Sequence, residues 1–345
     1  MNDEKFMRRA LQEARKGLGT TSPNPVVGAV IVKDDRILAT GYHRKAGGSH
    51  AEVAAISALT NPSEAEGATL YVTLEPCSTH GRTPPCTEAI IRSRFARVVV
   101  SAIDPNSRHM GRGLDRLREA GIAVSSGVLS DEATRLNVGF NKWITTGIPW
   151  VIAKVAQTLD GRITRPPGEP QWLSNERSRR LVQRLRSSVD AILVGAETVR
   201  RDNPRLTLRP ARDREQPWRV IITRSGDLPE EAALFSDEFR ERTLIFRNQP
   251  WTVVLRELGN RGVTRLLVEG GGEVLGDLLD EHRIDQVWMF FSPLLAGGDK
   301  PSFSGYGIAR IEDAPWIESV RYKRTGEDIL VIGEIKKSSL SSLGA

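Results

Sequence analysis

Cysteine is almost absent from this chain of 345 residues, in which Cys77 and Cys86 are the only two. A disulfide scaffold needs more cysteines, so the small secreted proteins that depend on disulfides are excluded. Long apolar runs are absent too, since Val26–Val32 and Val287–Phe291 fall far short of the ~20 residues that cross a bilayer. The N-terminus has acidic residues and no apolar segment, which argues against a signal peptide. We therefore expect a soluble, cytoplasmic protein with no membrane partner.

A strong excess of one charge is also missing, because 49 basic residues face 43 acidic ones. No dense basic block with interleaved aromatic residues is present, so we expect no nucleic-acid partner. The small positive excess supports an anionic small ligand only weakly. With 39% hydrophobic and 27% charged residues, and a length beyond the usual single domain, the chain is expected to form two globular domains.

Both cysteines stand in one motif with a histidine and a glutamate. His50-Ala-Glu52 is followed by Pro76-Cys77 and then by Cys86. One imidazole and two thiolates are suitable ligands for zinc, and they leave a fourth coordination position open for water. Glu52, which is not a ligand, can carry the protons of that water. The motif predicts one zinc ion per chain and resembles the signature of zinc-dependent base deaminases.

The spacing of this motif leaves alternatives open. Eight residues separate Cys77 from Cys86, whereas the general signature has two. Both cysteines could be small buried residues, with His50 on the surface. His80 could be a fourth ligand that closes the site, but we favour a contact between His80 and the substrate. His43 and His109 are interpreted as ordinary polar histidines, although either could line the rim of the pocket.

A rigid turn precedes the first predicted strand. Two prolines fix the backbone on either side of Asn24, in the string Thr21-Ser-Pro-Asn-Pro-Val-Val-Gly28. An amide held in this way could read the edge of a heterocycle, although asparagine is also common in simple turns.

The first half of the chain predicts an α/β sandwich with helices on both faces of the sheet. Strands and helices follow one another as strand–strand–helix–strand–helix–strand–helix–strand, and a single last helix is expected over Asp131–Lys142. Thr145–Pro149 breaks the pattern. We therefore predict a deaminase domain over 1–146, a second domain over 147–335 and a polar tail over 336–345.

The second half is predicted to contain a sheet with a glycine-rich turn. Ser174 is expected to cap a helix over Asn175–Arg186. Glu269-Gly-Gly-Gly272 follows a strand and begins a helix, so its backbone N–H groups could bind a phosphate. Alone this signal is weak, because the string lacks the G-x-G-x-x-G dinucleotide fingerprint.

Several strings together resemble one family over nearly the whole chain. They are the T-x-P-N-P-x-V-G turn, the zinc motif with its insertion, Lys154-x-Ala-x-Thr-Leu-Asp-Gly-Arg162, Gln171-Trp172, Gly195-x-x-Thr-x-x-x-Asp-x-Pro-x-Leu-Thr-x-Arg209 and Val268-Glu-Gly-Gly271. The family is that of the bifunctional riboflavin-biosynthesis deaminase–reductases. The resemblance implies a cytidine-deaminase-like α/β/α sandwich followed by a dihydrofolate-reductase-like α/β domain.

The resemblance also implies site residues. For the nicotinamide cofactor NADPH they are Ala156, Trp172, Thr198, Asp202, Gly271, Gly272, Glu273, Val274, Leu275, Gly276 and Asp277. For the substrate they are Asn24, His80, Lys154, Pro170, Arg186, Leu206, Arg209 and Glu269. Arg186 and Arg209 suit a phosphate, because a guanidinium donates paired hydrogen bonds to its oxygens.

This sequence departs from the family pattern at two places. Pro170 stands where the family usually offers a hydroxyl to the substrate, so that contact is lost or shifted. Thr223-Arg224 replaces an Asp-Ser pair. Arg224 beside Ser225 could bind a 2′-phosphate and favour NADPH over NADH, or it could be a surface residue.

The expected function is two consecutive steps of riboflavin synthesis on a phosphorylated pyrimidine. A zinc-dependent deamination would be followed by NADPH-dependent reduction of the ribosyl group, and we expect a homo-oligomer. Two rivals remain: a deaminase of tRNA or free nucleosides, and a degenerate zinc domain that acts as a scaffold on an active reductase.

Overall fold

The computed structural model of the protein describes residues 2–79, 84–107, 109–163, 172–209 and 214–336. The chain divides into two units, Met1–Gly147 and Ile148–Ala345, called unit 1 and unit 2 here. The division falls one residue beyond the boundary expected from the sequence. His80, Pro170 and most of the expected polar tail lie outside the described residues.

Unit 1 contains one sheet of five strands between two layers of helices. The strands are β1 (Gly28–Lys33), β2 (Arg36–Tyr42), β3 (Thr69–Leu74), β4 (Arg97–Ala102) and β5 (Ala123–Ser126). The helices are α1 (Asp3–Arg15), α2 (Ala51–Ser57), α3 (Cys86–Arg92), α4 (Arg112–Glu119), α5 (Ser130–Leu136) and α6 (Val138–Thr146). The sheet order is β2-β1-β3-β4-β5, with β1 antiparallel to its neighbours and β3, β4 and β5 parallel.

Alternate residues of β1 enter two different hydrophobic cores. Ala29 and Ile31 belong to one core, whereas Val30 and Val32 belong to the other. A strand that is covered on both faces has this pattern, since successive side chains point to opposite sides. The predicted α/β sandwich is therefore confirmed.

Helix α2 lies unusually close to the sheet. A Cβ atom on Gly41 of β2 would collide with the backbone of Ala55 in this helix. Glycine at this position lets the helix approach β2 directly. The approach fixes the first turn of α2, which carries two residues of the zinc motif.

The single helix predicted over 131–142 is wrong, because the structure has two helices that meet at Asn137. The side chain of Asn137 is buried. It accepts a hydrogen bond from the backbone N–H of Val26 at 2.9 Å and donates one to the carbonyl of Val26 at 2.9 Å. These two hydrogen bonds pair both backbone groups of the buried Val26. The stabilisation that they give outweighs the loss of one continuous helix. The same pair holds the chain just after Asn24.

Unit 2 contains a sheet of eight strands in the order β12-β13-β11-β6-β10-β7-β8-β9. The strands are β6 (Trp150–Thr158), β7 (Ala191–Gly195), β8 (Trp218–Thr223), β9 (Thr243–Arg247), β10 (Arg265–Val268), β11 (Gln286–Ser292), β12 (Ile317–Thr325) and β13 (Asp328–Ile335). The helices are α7 (Glu176–Arg186), α8 (Ala196–Asp202), α9 (Ala233–Ser236), α10 (Trp251–Asn260) and α11 (Gly272–Asp280). All neighbours from β11 to β9 are parallel, whereas β12 and β13 are joined antiparallel.

The predicted cap of α7 is wrong by one residue. Asn175 is the N-cap, and its side-chain oxygen accepts from the backbone N–H of Ser178 at 3.0 Å. Its amide nitrogen also donates to the carbonyl of Thr325 at 2.6 Å. An amide can make both contacts at once, which the hydroxyl of Ser174 cannot do.

No helix in the described part of the chain is both long and apolar enough to cross a membrane.

Candidate functional site

The three predicted zinc ligands meet in unit 1. His50 is the N-cap of α2, Cys77 follows β3, and Cys86 is the first residue of α3. The Nδ1 atom of His50 lies 3.2 Å from the Sγ of Cys86 and 3.6 Å from the Sγ of Cys77. All three ligand atoms lie within 4.8 Å of one another, in the one such cluster found among the described residues. Two thiols and an imidazole at this spacing fit a zinc ion.

The two thiols have different acidities. The pKa of Cys77 is lowered to about 4, because Cys86 and His50 both donate hydrogen bonds towards its sulfur. The backbone N–H of Cys86 also lies 3.3 Å from this sulfur. The pKa of Cys86 is raised, first by its hydrogen bond to Cys77 and then by burial. The pair therefore holds one thiolate ready for a cation, and a bound metal deprotonates a coordinating thiol.

Glu52 lies beside these ligands on the first turn of α2 and is only 3% exposed. Burial raises its pKa to about 7, and the charge of Cys77 adds to the effect. A carboxyl with a pKa near neutrality can take up a proton and release it again in one catalytic cycle. The sequence predicted this role, and the geometry allows it.

Glu75 is a residue to which the sequence analysis gave no role. Its buried carboxylate accepts three backbone hydrogen bonds, from Asp104 at 3.2 Å, Gly111 at 3.0 Å and Gly113 at 2.9 Å. These contacts tie the loop after β4 and the first turn of α4 to the segment after β3 that carries Cys77. The sequence signal that could have indicated this role was a glutamate directly before Pro76-Cys77, in a segment otherwise predicted to be buried.

Asn24 and His43 form a second group beside the zinc ligands. The amide nitrogen of Asn24 lies 3.1 Å from Nε2 of His43. The ring of His43 meets the ring of His50 edge-on, with 5.3 Å between centroids. His43 is 2% exposed, and burial lowers its pKa. His43, which the sequence left as an ordinary polar histidine or a residue of the pocket rim, is therefore buried against a predicted zinc ligand.

In unit 2 a cavity of about 1060 Å³ lies at the carboxyl ends of β6, β7, β8 and β10. Ligands of open α/β sheets commonly bind at this edge. The predicted residues that line it are Lys154, Ala156, Trp172, Arg186, Thr198, Asp202, Leu206, Arg209, Arg224, Ser225, Glu269, Gly271, Gly272, Glu273, Val274 and Asp277.

Two predicted cofactor residues do not line this cavity. Leu275 is fully buried in the hydrophobic core of unit 2. Gly276 packs against the backbone of Ser304, where a Cβ atom would collide. The reason is helical periodicity, because only one face of α11 can point to a ligand.

Arg186, Lys154 and Glu269 form a mostly buried cluster in the wall of the cavity, with side-chain exposures of 15%, 16% and 9%. The guanidinium of Arg186 binds the Glu269 carboxylate through two hydrogen bonds of 2.6 and 2.9 Å. The Nζ of Lys154 lies 3.8 Å from the same carboxylate. Burial alone would raise the pKa of Glu269, but these two cations outweigh it and lower the pKa to about 2. The carboxylate therefore stays charged and fixes both cations.

We expect Glu269→Gln to destabilise unit 2 by about 1–3 kcal/mol, because it leaves two mostly buried cations without their counter-charge. Six of the seven tryptophans belong to unit 2, so urea unfolding followed by tryptophan fluorescence reports mainly on this unit. Glu257→Gln is the matched control. It removes an exposed ion pair with Arg261, and we expect a change below about 1 kcal/mol. Equal losses of unfolding free energy in the two variants would show that Glu269 does not stabilise this cluster.

Arg224 also lines the cavity and is largely exposed. Its guanidinium lies 3.7 Å from the carboxylate of Glu273 and 3.6 Å from that of Asp277, both on α11. Ser225 accepts a hydrogen bond at its hydroxyl from the backbone N–H of Asp227. An anionic group entering here would compete with two carboxylates for Arg224.

Two family profiles match this chain. One is described as the RibD C-terminal domain and matches residues 149–331. The other is described as the cytidine and deoxycytidylate deaminase zinc-binding region and matches residues 1–102. The first therefore covers the cavity of unit 2, and the second covers the zinc cluster of unit 1.

Curated relatives and solved structures match over almost the full length. The riboflavin biosynthesis protein RibD of Escherichia coli is 39% identical over 95% of this chain and 98% of the relative. The protein of the same name from Aquifex aeolicus is 38% identical over 95% and 97%. RibD of Acinetobacter baumannii superposes with a TM-score of 0.89 at 34% identity, covering 97% of this chain and 99% of that chain. A Thermotoga maritima structure, described as a diaminohydroxyphosphoribosylaminopyrimidine deaminase/5-amino-6-(5-phosphoribosylamino)uracil reductase, gives 0.88 at 38% identity over 97% and 99%.

Proposed function

Since the chain belongs to the RibD family of bifunctional riboflavin-biosynthesis enzymes, we propose that it acts on the two substrates in the description of the Thermotoga maritima relative. The protein is a deaminase and a reductase that uses zinc and NADPH. Unit 1 would deaminate 2,5-diamino-6-(5-phosphoribosylamino)pyrimidin-4(3H)-one. Unit 2 would reduce the ribosyl side chain of 5-amino-6-(5-phosphoribosylamino)uracil to ribityl. The deaminase half of this proposal rests on one observation, which is that one site contains His50, Cys77, Cys86 and Glu52.

Zinc, held by His50, Cys77 and Cys86, supplies a Lewis acid that makes water a nucleophile at neutral pH. Glu52 takes the proton of the attacking water as oxygen bonds to the amino-bearing carbon. It then passes a proton to the nitrogen as the carbon–nitrogen bond breaks and ammonia leaves. The raised pKa of Glu52 suits both transfers. Asn24 contacts the heterocycle beside these groups.

NADPH supplies the hydride in unit 2. Transfer of a hydride to the anomeric carbon of the ribosyl group breaks the bond between this carbon and the ring oxygen, and the ring oxygen then takes up a proton. Lys154 is the mostly buried acid in the cavity wall that would donate this proton. Burial lowers the pKa of Lys154 and so favours release of its proton. Glu269 holds Lys154 in place, while Arg209, which is exposed in the cavity wall, is available to the substrate phosphate. Arg186 contributes by fixing Glu269.

Two separate assays test the proposal. Zinc-loaded protein without nicotinamide should release ammonia from the diaminopyrimidinone substrate. The same protein should oxidise NADPH only when the deaminated product is present. Ammonia release from cytidine or tRNA instead, with no activity on the phosphorylated pyrimidine, would favour the rival deaminase.

We expect Arg224→Ala to raise the KM for NADPH and to leave the KM for NADH unchanged, because only NADPH carries a 2′-phosphate. A hydrogen bond to a charged group is worth about 1.5–3 kcal/mol. Solvent screening of this exposed side chain favours the lower end, which corresponds to roughly a tenfold rise. Arg240→Ala, which removes an exposed pair with Glu241, is the control. An equal rise for both cofactors would show that Arg224 does not read the 2′-phosphate.

The homo-oligomer and the cytoplasmic location stay predictions.

A further inference from the structure

Asn24 and His43 contact each other beside the residues that carry out the deamination, and this contact indicates a role for His43. His43 has two polar contacts through its ring. Its Nδ1 lies 3.0 Å from the carbonyl oxygen of Ser49, and its Nε2 lies 3.1 Å from the amide nitrogen of Asn24. The ring is buried, so each nitrogen must be matched by a partner of the right kind.

These partners specify one tautomer. A carbonyl oxygen can only accept a hydrogen bond, so Nδ1 of His43 must carry a proton. The structure places the amide nitrogen of Asn24, which can only donate, at Nε2, so Nε2 is the acceptor of the ring. The two ends of the Asn24 amide are thereby distinguishable.

The backbone of Asn24 is held in place by its neighbours. Pro23 and Pro25 flank the residue, and its backbone N–H donates to the carbonyl of Thr21 at 2.8 Å. Val26, two residues on, is clamped by Asn137. Rotation of the side-chain amide is the main freedom that remains, and without His43 the oxygen and nitrogen could exchange places.

Asn24 is partly exposed, and no hydrogen bond to its Oδ1 is found within the described part of the chain. We propose that His43 is a positioning residue that turns Oδ1 of Asn24 towards the substrate as a hydrogen-bond acceptor. The inference rests on the proposed deaminase function. It specifies a heterocycle that presents an N–H donor at this point, such as a lactam N–H or a ring amino group, and disfavours one that presents a bare ring nitrogen.

A matched pair of variants separates the two contacts of His43. His43→Asn places an amide nitrogen near the position of Nδ1, so it keeps a donor for Ser49 but has no group at Nε2. His43→Gln reaches further and offers an oxygen to Asn24 in place of Nε2. We expect the deaminase kcat/KM to fall about tenfold in His43→Asn and to stay within about threefold of wild type in His43→Gln.

A double-mutant cycle tests whether His43 acts through Asn24. Asn24→Ala should lower the deaminase kcat/KM at least as far as His43→Asn, mainly through KM. Adding His43→Asn to Asn24→Ala should then change nothing further, because the group to be positioned is gone. Fully additive losses, or normal kcat/KM in His43→Asn, would overturn the proposal.

Zinc content and reductase activity, measured in the same chains, should stay at wild-type values. Loss of zinc in His43→Asn would mean that the residue acts through His50, and it would also overturn the proposal. Failure of wild-type protein to deaminate the pyrimidine would instead refute the proposed function, so the two failures are distinguishable.

A second measurement needs no active variant. The ring ¹⁵N shifts of His43 in histidine-labelled wild-type protein should show a proton on Nδ1 and none on Nε2. A proton on Nε2 would turn the amide of Asn24 around and overturn the proposal.

Discussion

Glu52→Gln is expected to keep its zinc and to lose deaminase kcat by between about a hundred- and ten-thousand-fold, the usual contribution of a general acid–base group. The amide has the shape of the carboxyl but cannot accept and release a proton. None of the three ligand atoms is changed, so the metal should remain. Ammonia release from the metal-replete variant measures the effect.

The control for this variant is Glu119→Gln, which changes an exposed carboxylate of α4. Its deaminase activity should equal that of wild type, and both variants should reduce the deaminated substrate normally. Near-normal ammonia release by Glu52→Gln would show that another group moves the proton.

Cys86→Ser is expected to lose zinc and deamination together. A serine hydroxyl is not ionised near neutral pH and binds zinc far more weakly than a thiolate.

Metal analysis and a reductase assay on the same preparation check this expectation. Zinc should fall from one per chain to near zero, while reduction of the already deaminated substrate persists, because its cavity is lined by residues of unit 2. Undiminished zinc in Cys86→Ser would remove Cys86 from the site.

The zinc site could be predicted because its chemistry is concentrated in a few residue types. A chain with only two cysteines, both near a His-x-Glu string, allows few other interpretations of this motif. The strands that carry the motif also have strong apolar patterns, as β3 shows with every residue buried. Family resemblance then supplied most residues of the second site, of which the local pattern indicated only the glycine-rich turn at Glu269–Gly272.

The parts that could not be predicted depend on contacts between distant residues. The break at Asn137 arises from its bonds to Val26, and nothing near Asn137 in sequence announces it. Strand β12 is mostly exposed and polar, so it lacks an apolar alternation. The pairing of Arg186 with Glu269, 83 residues apart, made one predicted substrate ligand a partner of another.

The residues around the zinc site could not be predicted for the same reason, because their contacts join distant parts of the chain. His43 looked like any polar histidine in sequence, and only folding places its ring between Asn24 and His50. Glu75 became visible as an anchor only when three backbone N–H groups of a later loop were seen to converge on it.

One measurement tests the central claim that a single chain performs both steps in order. The zinc-loaded protein is incubated with the diaminopyrimidinone substrate in ¹⁸O-labelled water, with NADPH that carries deuterium at its reactive position, and the products are followed by mass spectrometry. Without the cofactor we expect one product, in which a labelled oxygen has replaced the 2-amino group. With the cofactor, that species should be consumed and a ribityl product should carry both the labelled oxygen and one deuterium. A deuterated product that keeps its 2-amino group, or a labelled product that is never reduced, would contradict the account.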